Sequence, residues 1–565
     1  MINYKVEIAK QLNDIIEEMD YDEILALVEH PKNTDMGDYA FPCFKLAKVY
    51  RKAPNQIAEE IAEKVVLGDL FENVSPIAGF LNFKVNGEAF AKNVLEEVIT
   101  KGDLYGSSAV GEGKKTIIEY SSVNIAKPFH MGHIRSTMIG ESLHRIYKFL
   151  GYDTVAINHL GDYGTQFGKL IVAYKLWGNR EVIEADPIPE LLKIYVKFHQ
   201  EAETNPALED EARTWFTKLE NQDAEAFELW TLFKDMSLKV FNRVYEKLGV
   251  TFDSYAGESF YSDKMPAIVK ELRDKNIVEK SEGAEIVNLE PYGLTPALIT
   301  KKDGSSLYLT RDLAAAKYRK DTYDFDKNIY VVGSAQKLHF QQWMKILDLM
   351  GYEWHKDCVH VEFGMVSLEE GALSTRKGNV VFLEDVLDKA VEQTLEIINE
   401  KNPDLENKEL IAKQIGVGAV VFQELYTSRN KDYAFSLEKT LSFEGETGPY
   451  VQYTYARACS VLRKVSELSA TPDYSVLTDE ASKDVLRILS KFGEIIYLAH
   501  KNYEPHTVAR YVVELAQGFN RFYHDNAILV DDERVKAARI KLVQATKIVI
   551  KNALSLVCLD APEKM

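Results

Sequence analysis

Thr116-Ile-Ile-Glu-Tyr-Ser-Ser-Val-Asn-Ile-Ala-Lys-Pro-Phe-His-Met-Gly-His133 is the stretch on which the fold turns. Its first five residues form a short apolar run of the kind that makes a fully buried strand. A polar loop follows, after which Ile134, Met138, Leu143, Ile146 and Leu150 keep an apolar stripe at helical spacing. Beyond Gly151, the run Thr154–Asn158 predicts a second strand. Strand, helix and strand at this spacing make a βαβ unit, the building block of a parallel sheet. The pattern returns at Ile329-Tyr-Val-Val-Gly333 and at Val359–Val366, each read as a further strand.

Chemistry gathers in the loop after the first strand. His130 and His133 lie three apart and share one face of a helical turn. Gly132 leaves room for a flat base to approach the backbone. The helix start offers free N–H groups and a positive dipole to phosphates. Taken alone, the two histidines fit a structural pair or half a metal site equally well. Their strand–loop–helix setting, with Lys127 just upstream, favours a nucleotide. The glycines do not follow G-x-x-x-x-G-K-[ST], so this is not a P-loop. A second motif, Gly371-Ala-Leu-Ser-Thr-Arg-Lys-Gly-Asn379, is a small, polar, basic loop after a predicted strand. By itself it reads as a solvated turn. Paired with His130 and His133 it reads as a phosphate clamp.

The chain has 565 residues, too many for one core. Residues 1–107 read as a small α/β unit, with helices near 4–20 and 55–66 and a strand at 78–86; Gly106–Gly113 reads as a linker. An α/β Rossmann-like parallel-sheet domain is expected over 108–384, interrupted at 178–290 by an acidic, mostly helical insertion. A helical connector over 385–440 leads to an all-α bundle over 441–565. The net charge of −19 argues against a protein that coats nucleic acid by bulk electrostatics. Residues 441–565 hold 16 Lys/Arg and 16 Asp/Glu, so the acidic excess lies wholly upstream. A neutral segment rich in Tyr and Arg permits the docking of one specific RNA. Cys43, Cys358, Cys459 and Cys558 lie far apart without a C-x-x-C pair, which predicts reduced thiols and no zinc site. There is neither an apolar signal core nor an apolar run of about 18 residues, so a cytoplasmic protein without a membrane span is expected.

At this point the motifs converge on a family. His130-Met-Gly-His133 resembles the HIGH motif of class I aminoacyl-tRNA synthetases, and Leu373-Ser-Thr-Arg-Lys377 resembles a degenerate KMSKS loop. Within that class the resemblance is to arginyl-tRNA synthetases. It rests on Glu119–His130, on Asn158-His-Leu-Gly-Asp-Tyr-Gly-Thr-Gln-Phe-Gly168, on Tyr308-Leu-Thr-Arg-Asp312 and on Gly445-Glu-Thr-Gly-Pro-Tyr-Val-Gln-Tyr453. Gly37-Asp-Tyr-Ala40 and Gly79-Phe-Leu-Asn-Phe83 match the family's N-terminal domain. Val123 stands where many relatives have proline, and Leu373 replaces the loop's methionine. Thr375 stands where other class I enzymes place their second lysine.

The resemblance implies ATP-dependent activation of L-arginine and its transfer to tRNA(Arg), by a monomer using Mg²⁺ with the phosphates. It implies that adenylate formation waits for tRNA. It places Glu119, Ser122, Asn124, Tyr308, Asp312 and Gln336 around arginine. ATP falls to His130, Gly132, His133, Gly333, His339, Met365 and Val366, and catalysis to Lys127, His130, His133, Ser374, Arg376 and Lys377. Asp312 has a competing reading as a helix cap. For tRNA the resemblance implies Phe80 and Asn82 at the D-loop, and the Tyr450, Tyr453, Arg457 and Arg463 set joins aromatic platforms to cations. Strand core competes for Phe80 and an ordinary packed helix face for the tyrosines. Two other classes fit parts of the pattern: small-molecule nucleotidyltransferases, which share H-x-G-H but are much shorter, and a non-catalytic RNA-binding paralogue. The intact Glu119, Lys127, His130, His133 and Asp312 argue against the second.

Overall fold

The structure is a computed structural model that describes residues 4–31, 36–301, 308–368, 381–465 and 470–565. At its centre is a four-stranded, all-parallel sheet. Its strands, in spatial order, are Cys358–Phe363, Lys327–Gly333, Lys115–Glu119 and Asp153–Ile157. The chain runs from the Lys115–Glu119 strand outward to Asp153–Ile157, then returns to the other side for Lys327–Gly333. The order therefore reverses between Lys115–Glu119 and Lys327–Gly333. Ligands bind open α/β sheets beyond the carboxyl ends of the strands at such a reversal. Glu119 and Gly333 end those two strands.

The helix Gly132–Phe149 returns from the first strand to the second. The predicted apolar stripe is fully buried, and so are Arg135, Ser136, Thr137, Glu141 and Ser142 on its other faces. The eight-residue run Val359–Val366 is not one strand. It ends at Phe363, and Val366–Leu368 pairs in parallel with Tyr433–Phe435 in a separate two-stranded sheet. The break falls at Gly364, where a Cβ would come within 2.5 Å of Asp432 Oδ1. The same Oδ1 accepts the Met365 N–H at 2.6 Å, which turns the chain toward its new partner.

The insertion is helical over Arg180–Leu248 and again at Met265–Asp274. It then forms a three-stranded antiparallel sheet, Glu279–Ser281, Ala284–Val287 and Ala297–Thr300, which the sequence reading did not include. These strands are only three and four residues long, too short for alternation to register. In the N-terminal unit the expected strand at 78–86 proves to be half of a hairpin. Phe71–Ile77 and Phe80–Val85 pair across Ala78 and Gly79, with φ of 52° and 78°. Two successive left-handed residues suit the twist of a two-residue hairpin.

The helix Gly87–Lys101 buries Ala91, Val94, Leu95 and Val98 in the main core. It packs on the last helix, Glu533–Leu556, and thereby braces the N-terminal unit against the bundle. Gly106 lies against the Phe492 ring and Gly111 against the Tyr152 ring, each closer than a Cβ would allow, so the 106–113 segment is packed. Among the described residues from Leu383 onward, seven helices of eleven or more residues carry the chain to Leu556. Among the described residues no helix is long and apolar enough to cross a membrane.

Candidate active site

The loop leaving the Lys115–Glu119 strand is strained and held. Ser121, Ser122 and Ala126 have φ of 69°, 51° and 57°. Such residues cost about 1–3 kcal/mol each and persist only where their surroundings over-determine them. Here every one of the three has its N–H taken by a side chain. Ser121 N–H donates to Ser136 Oγ at 2.9 Å, Ser122 N–H to Asn158 Oδ1 at 3.2 Å, and Ala126 N–H to Ser237 Oγ at 3.0 Å. Asn158 is itself fixed by its Nδ2 on Tyr245 Oη at 2.9 Å. Asn124 lies over Gly161, where a Cβ would meet Asn124 Oδ1 at 2.1 Å. Asp162 accepts from Ser259 N–H and Oγ, both at 2.8 Å, and pairs with Lys234 at 2.7 Å. The Asn158–Asp162 string is thus the brace of the loop. Ser122 Oγ is buried with no hydrogen-bond partner among the described residues.

His130 and His133 stack with ring centroids 3.9 Å apart. The Gly132 N–H donates to His130 Nδ1 at 3.0 Å, and the His130 N–H donates to His133 Nδ1 at 3.2 Å. Both Nδ1 atoms are therefore acceptors, and each neutral ring carries its proton on Nε2. Burial pushes the His130 pKa down; burial, followed by the proximity of His130 and Lys127, pushes His133 down to about 3. At neutral pH the pair offers two N–H donors and no charge. Gly132 is required by the His130 ring itself, since a Cβ would come within 2.8 Å of it. Lys127, at the loop's exposed edge, supplies positive charge to this cluster.

A stability prediction follows from the neutral His133. Above the ordinary histidine pKa it is neutral in both folded and unfolded chains. As pH falls from about 6.5 toward 3, the unfolded chain takes up a proton that the folded chain refuses, so stability falls. His133→Gln removes that proton and should flatten the loss over this interval by up to about 1.4 kcal/mol per pH unit. Urea unfolding at a series of pH values measures it; an unchanged slope would mean that the folded ring is protonated after all.

Glu119 is 6 % exposed, and its Oε2 lies 2.6 Å from Nη2 of Arg319, which is fully buried. Arg319 sits on the helix Tyr308–Tyr323. Tyr308, Asp312 and Arg319 fall at i, i+4 and i+11, one face of that helix. Asp312 is not its cap: it stands in the second turn, and its Oδ2 lies 2.5 Å from His339 Nε2. Among the described residues, each carboxylate has one oxygen engaged and no hydrogen bond to the other. Tyr308 is 60 % exposed, with the Arg311 guanidinium 5.5 Å from its ring centroid. Arg311 also pairs with Glu258 at 3.0 Å. Burial, opposed by Arg311, raises the Glu258 pKa to about 7.

Gly333 opens the turn Ser334–Gln336, where Gln336 is exposed. Met365 is exposed and Val366 buried. Ser374, Arg376 and Lys377 lie outside the described residues. On the C-terminal side of that segment, Phe382 forms an antiparallel bridge with His130, and the Leu383 N–H donates to the Phe129 carbonyl at 2.9 Å. Arg319, Glu258 and Arg311 escaped the sequence reading. Only the spacing of Arg319 from Asp312 signalled it, and a buried arginine on a predicted helix reads as solvated.

Two surfaces were expected to meet RNA. Phe80 is half-buried and edge-on to Phe44, centroids 5.1 Å apart, with Phe44 itself 50 % exposed. Asn82 is not an accessible amide: it is 3 % exposed and donates to the Ser75 carbonyl across the sheet. On the helix Gly448–Arg463, the Arg457 guanidinium lies between Tyr453, at 4.9 Å, and Tyr523, at 5.1 Å, both exposed. Asn520 accepts from Arg457 and donates to Tyr450 Oη at 2.9 Å. Arg463 stands apart, on the Glu563 carbonyl.

Comparison with known proteins agrees over the whole length. Residues 94–437 match the family described as tRNA synthetases class I (R), catalytic domain. Residues 451–565 match the DALR anticodon binding domain, and 3–85 the arginyl tRNA synthetase N terminal domain. The arginine–tRNA ligases of Halothermothrix orenii and Clostridioides difficile are 57 % and 59 % identical, covering all of both chains. The solved arginyl-tRNA synthetase of Thermus thermophilus superposes with a TM-score of 0.81 at 25 % identity, again covering all of both chains. With a parallel-sheet catalytic domain, its flanking N-terminal unit and a helical anticodon-binding bundle, the chain belongs to the class I arginyl-tRNA synthetases.

Proposed function

We propose that this arginine–tRNA ligase divides its labour at the sheet's reversal point, with arginine on the Glu119–Asp312 side and the phosphates of ATP on the His130–His133 side. The observation that carries this is the charge contrast there. Two carboxylates, each with one oxygen unengaged among the described residues, stand at one end, and an uncharged pair of N–H donors beside Lys127 stands at the other. A guanidinium is planar and presents five donors, so it can bridge single oxygens of two carboxylates. Ser122, Asn124, Tyr308 and Gln336 complete the arginine side in this reading. Gly132, Gly333, Met365 and Val366 complete the nucleotide side, with His339, bonded to Asp312, where the two sides meet.

Arginine's α-carboxylate is already ionised at neutral pH, so its attack on the α-phosphorus of ATP requires no general base. The protein's task is to position the two reactants and stabilise charge moving toward the pyrophosphate. The bond to pyrophosphate breaks, arginyl-adenylate remains, and a hydroxyl of the tRNA's terminal adenosine then displaces AMP. Mg²⁺ bound with ATP would offset charge on the phosphates, at the end of the site where Lys127 and the His130 and His133 N–H donors stand. The working divisions are 1–107 for the tRNA D-loop, 108–384 for catalysis, 385–440 as connector and 441–565 for the anticodon. The enzyme acts as a cytoplasmic monomer. Arginine-dependent ATP–pyrophosphate exchange, run with and without tRNA(Arg), tests the reading. Full exchange without tRNA would remove the proposal that activation waits for it.

The bundle's share has its own test. Arg457, stacked between Tyr453 and Tyr523, resembles a platform on which unpaired bases stack, worth about 1–3 kcal/mol per base. Arg457→Ala should weaken tRNA(Arg) binding by about tenfold in filter binding, while the arginine KM at saturating tRNA stays unchanged. Unaltered tRNA affinity would make the stack a packing feature.

A further inference from the structure

A buried ionic cluster sits two residues beyond His133, and the mechanism above does not use it. Arg135 and Glu424 are both fully buried, with Nε and Oε1 2.8 Å apart. Arg135 also donates to the Lys431 carbonyl at 2.8 Å and lies over the Tyr433 ring at 5.2 Å. Tyr433 closes the cluster by donating to Glu424 Oε2 at 2.7 Å. Burial raises the Glu424 pKa against the opposing pull of Arg135. Replacing one partner of such a pair costs several kcal/mol, yet an apolar cluster of the same shape is often as stable. Stability alone is therefore a poor reason to build it.

Its location suggests another reason. Arg135 belongs to the helix that carries His133. Lys431 and Tyr433 belong to the turn that grips Met365: the Tyr433 N–H donates to the Met365 carbonyl at 3.1 Å, and Asp432 Oδ1 accepts the Met365 N–H. Arg429, in the same turn, donates to the Glu362 carbonyl at 2.6 Å, and its own carbonyl accepts the Gly364 N–H at 2.8 Å. The histidine turn and the Met365–Val366 segment are not adjacent in sequence, and this cluster ties them by a buried ion pair, Arg135 Nε to Glu424 Oε1, without a hydrogen bond between those two atoms, and by the Arg135–Lys431 and Tyr433–Glu424 hydrogen bonds. We propose that Arg135, through Glu424 and Tyr433, is a positioning residue that sets the spacing between the histidine pair and the Met365–Val366 segment, and hence the fit of ATP. The inference rests on the reading that both of those elements hold ATP.

The test uses the full-length enzyme with tRNA(Arg) present, comparing Arg135→Lys, Tyr433→Phe and His130→Ala by pyrophosphate exchange and by calorimetric titration with ATP. Tyr433→Phe keeps the ring and removes one hydrogen bond, so it folds even if Arg135→Lys does not. Expected is a rise in the ATP KM and Kd of about threefold for Tyr433→Phe and tenfold or more for Arg135→Lys, with the arginine KM within twofold. A variant that loses thermal stability but keeps both ATP constants would reduce the cluster to a structural pair and overturn the proposal. Equal rises in the ATP and arginine constants would also overturn it, since general loosening moves both. His130→Ala separates the two levels. If it leaves ATP binding and turnover untouched, the nucleotide reading itself fails; if it impairs them while Tyr433→Phe and Arg135→Lys do not, only the positioning role fails.

Discussion

Lys127→Ala is expected to lower kcat for arginine activation by two to three orders of magnitude while leaving the arginine KM nearly unchanged. The argument is one of charge supply. Negative charge moves toward the leaving pyrophosphate, and the class I loop ordinarily meets it with a second lysine. Here that place is Thr375. The neighbouring Arg376 and Lys377 are offset from that place by one and two residues in sequence. The histidines cannot make up the deficit, because both are held neutral and lend only N–H groups. Lys127 stands three residues before His130, stiffened by Pro128, close enough for its charge to help depress His133. Losing one well-placed donor to a transition-state charge costs about 3–4 kcal/mol, and an interaction made in the transition state shows in kcat. Lys377→Ala should cost clearly less. Single-turnover adenylate formation measures both, and a reversed order would return the role to the 371–379 loop.

The fold was legible where a residue pattern had one physical meaning. Buried parallel strands read as apolar runs, and three of the four sheet strands fell where those runs stood, within one or two residues at either end. The fourth was overextended because Val359–Val366 stays apolar through a bend that only Asp432, distant in sequence, explains. The short antiparallel strands between residues 279 and 300 carry too few residues for any period to show. At the site, the histidines and carboxylates stood out in the sequence because they fall in strings that resemble the family's motifs. Their partners were not. Arg319, Arg135 and Glu424 are ionised side chains in the interior, and a sequence marks such residues as solvated until a tertiary partner is known. Asn82 failed in the opposite sense: an amide on a strand reads as available, whereas its face of the sheet is covered.

Those hidden partners decide how the arginine site should be probed. Glu119→Ala is a poor experiment, since it would strand the Arg319 charge in the interior and destabilise the fold by about 3–5 kcal/mol. Asp312→Asn is a cleaner one. Asp312 is about a third exposed, and its described partner His339 also reaches solvent, so the substitution removes charge without orphaning a buried ion. A hydrogen bond to a charged group contributes about 1.5–3 kcal/mol, so losing the carboxylate opposite a guanidinium should raise the arginine KM by about 10- to 150-fold. The ATP KM should stay within about threefold. Lysine should remain a poor substrate for every variant, because its ammonium is a compact point charge that does not span two separated oxygens. Canavanine, which keeps the guanidinium head, should be poorly rejected by the parent enzyme. Steady-state exchange with each amino acid measures all of this, and an equal rise in the arginine and ATP constants of Asp312→Asn would place Asp312 outside the arginine site.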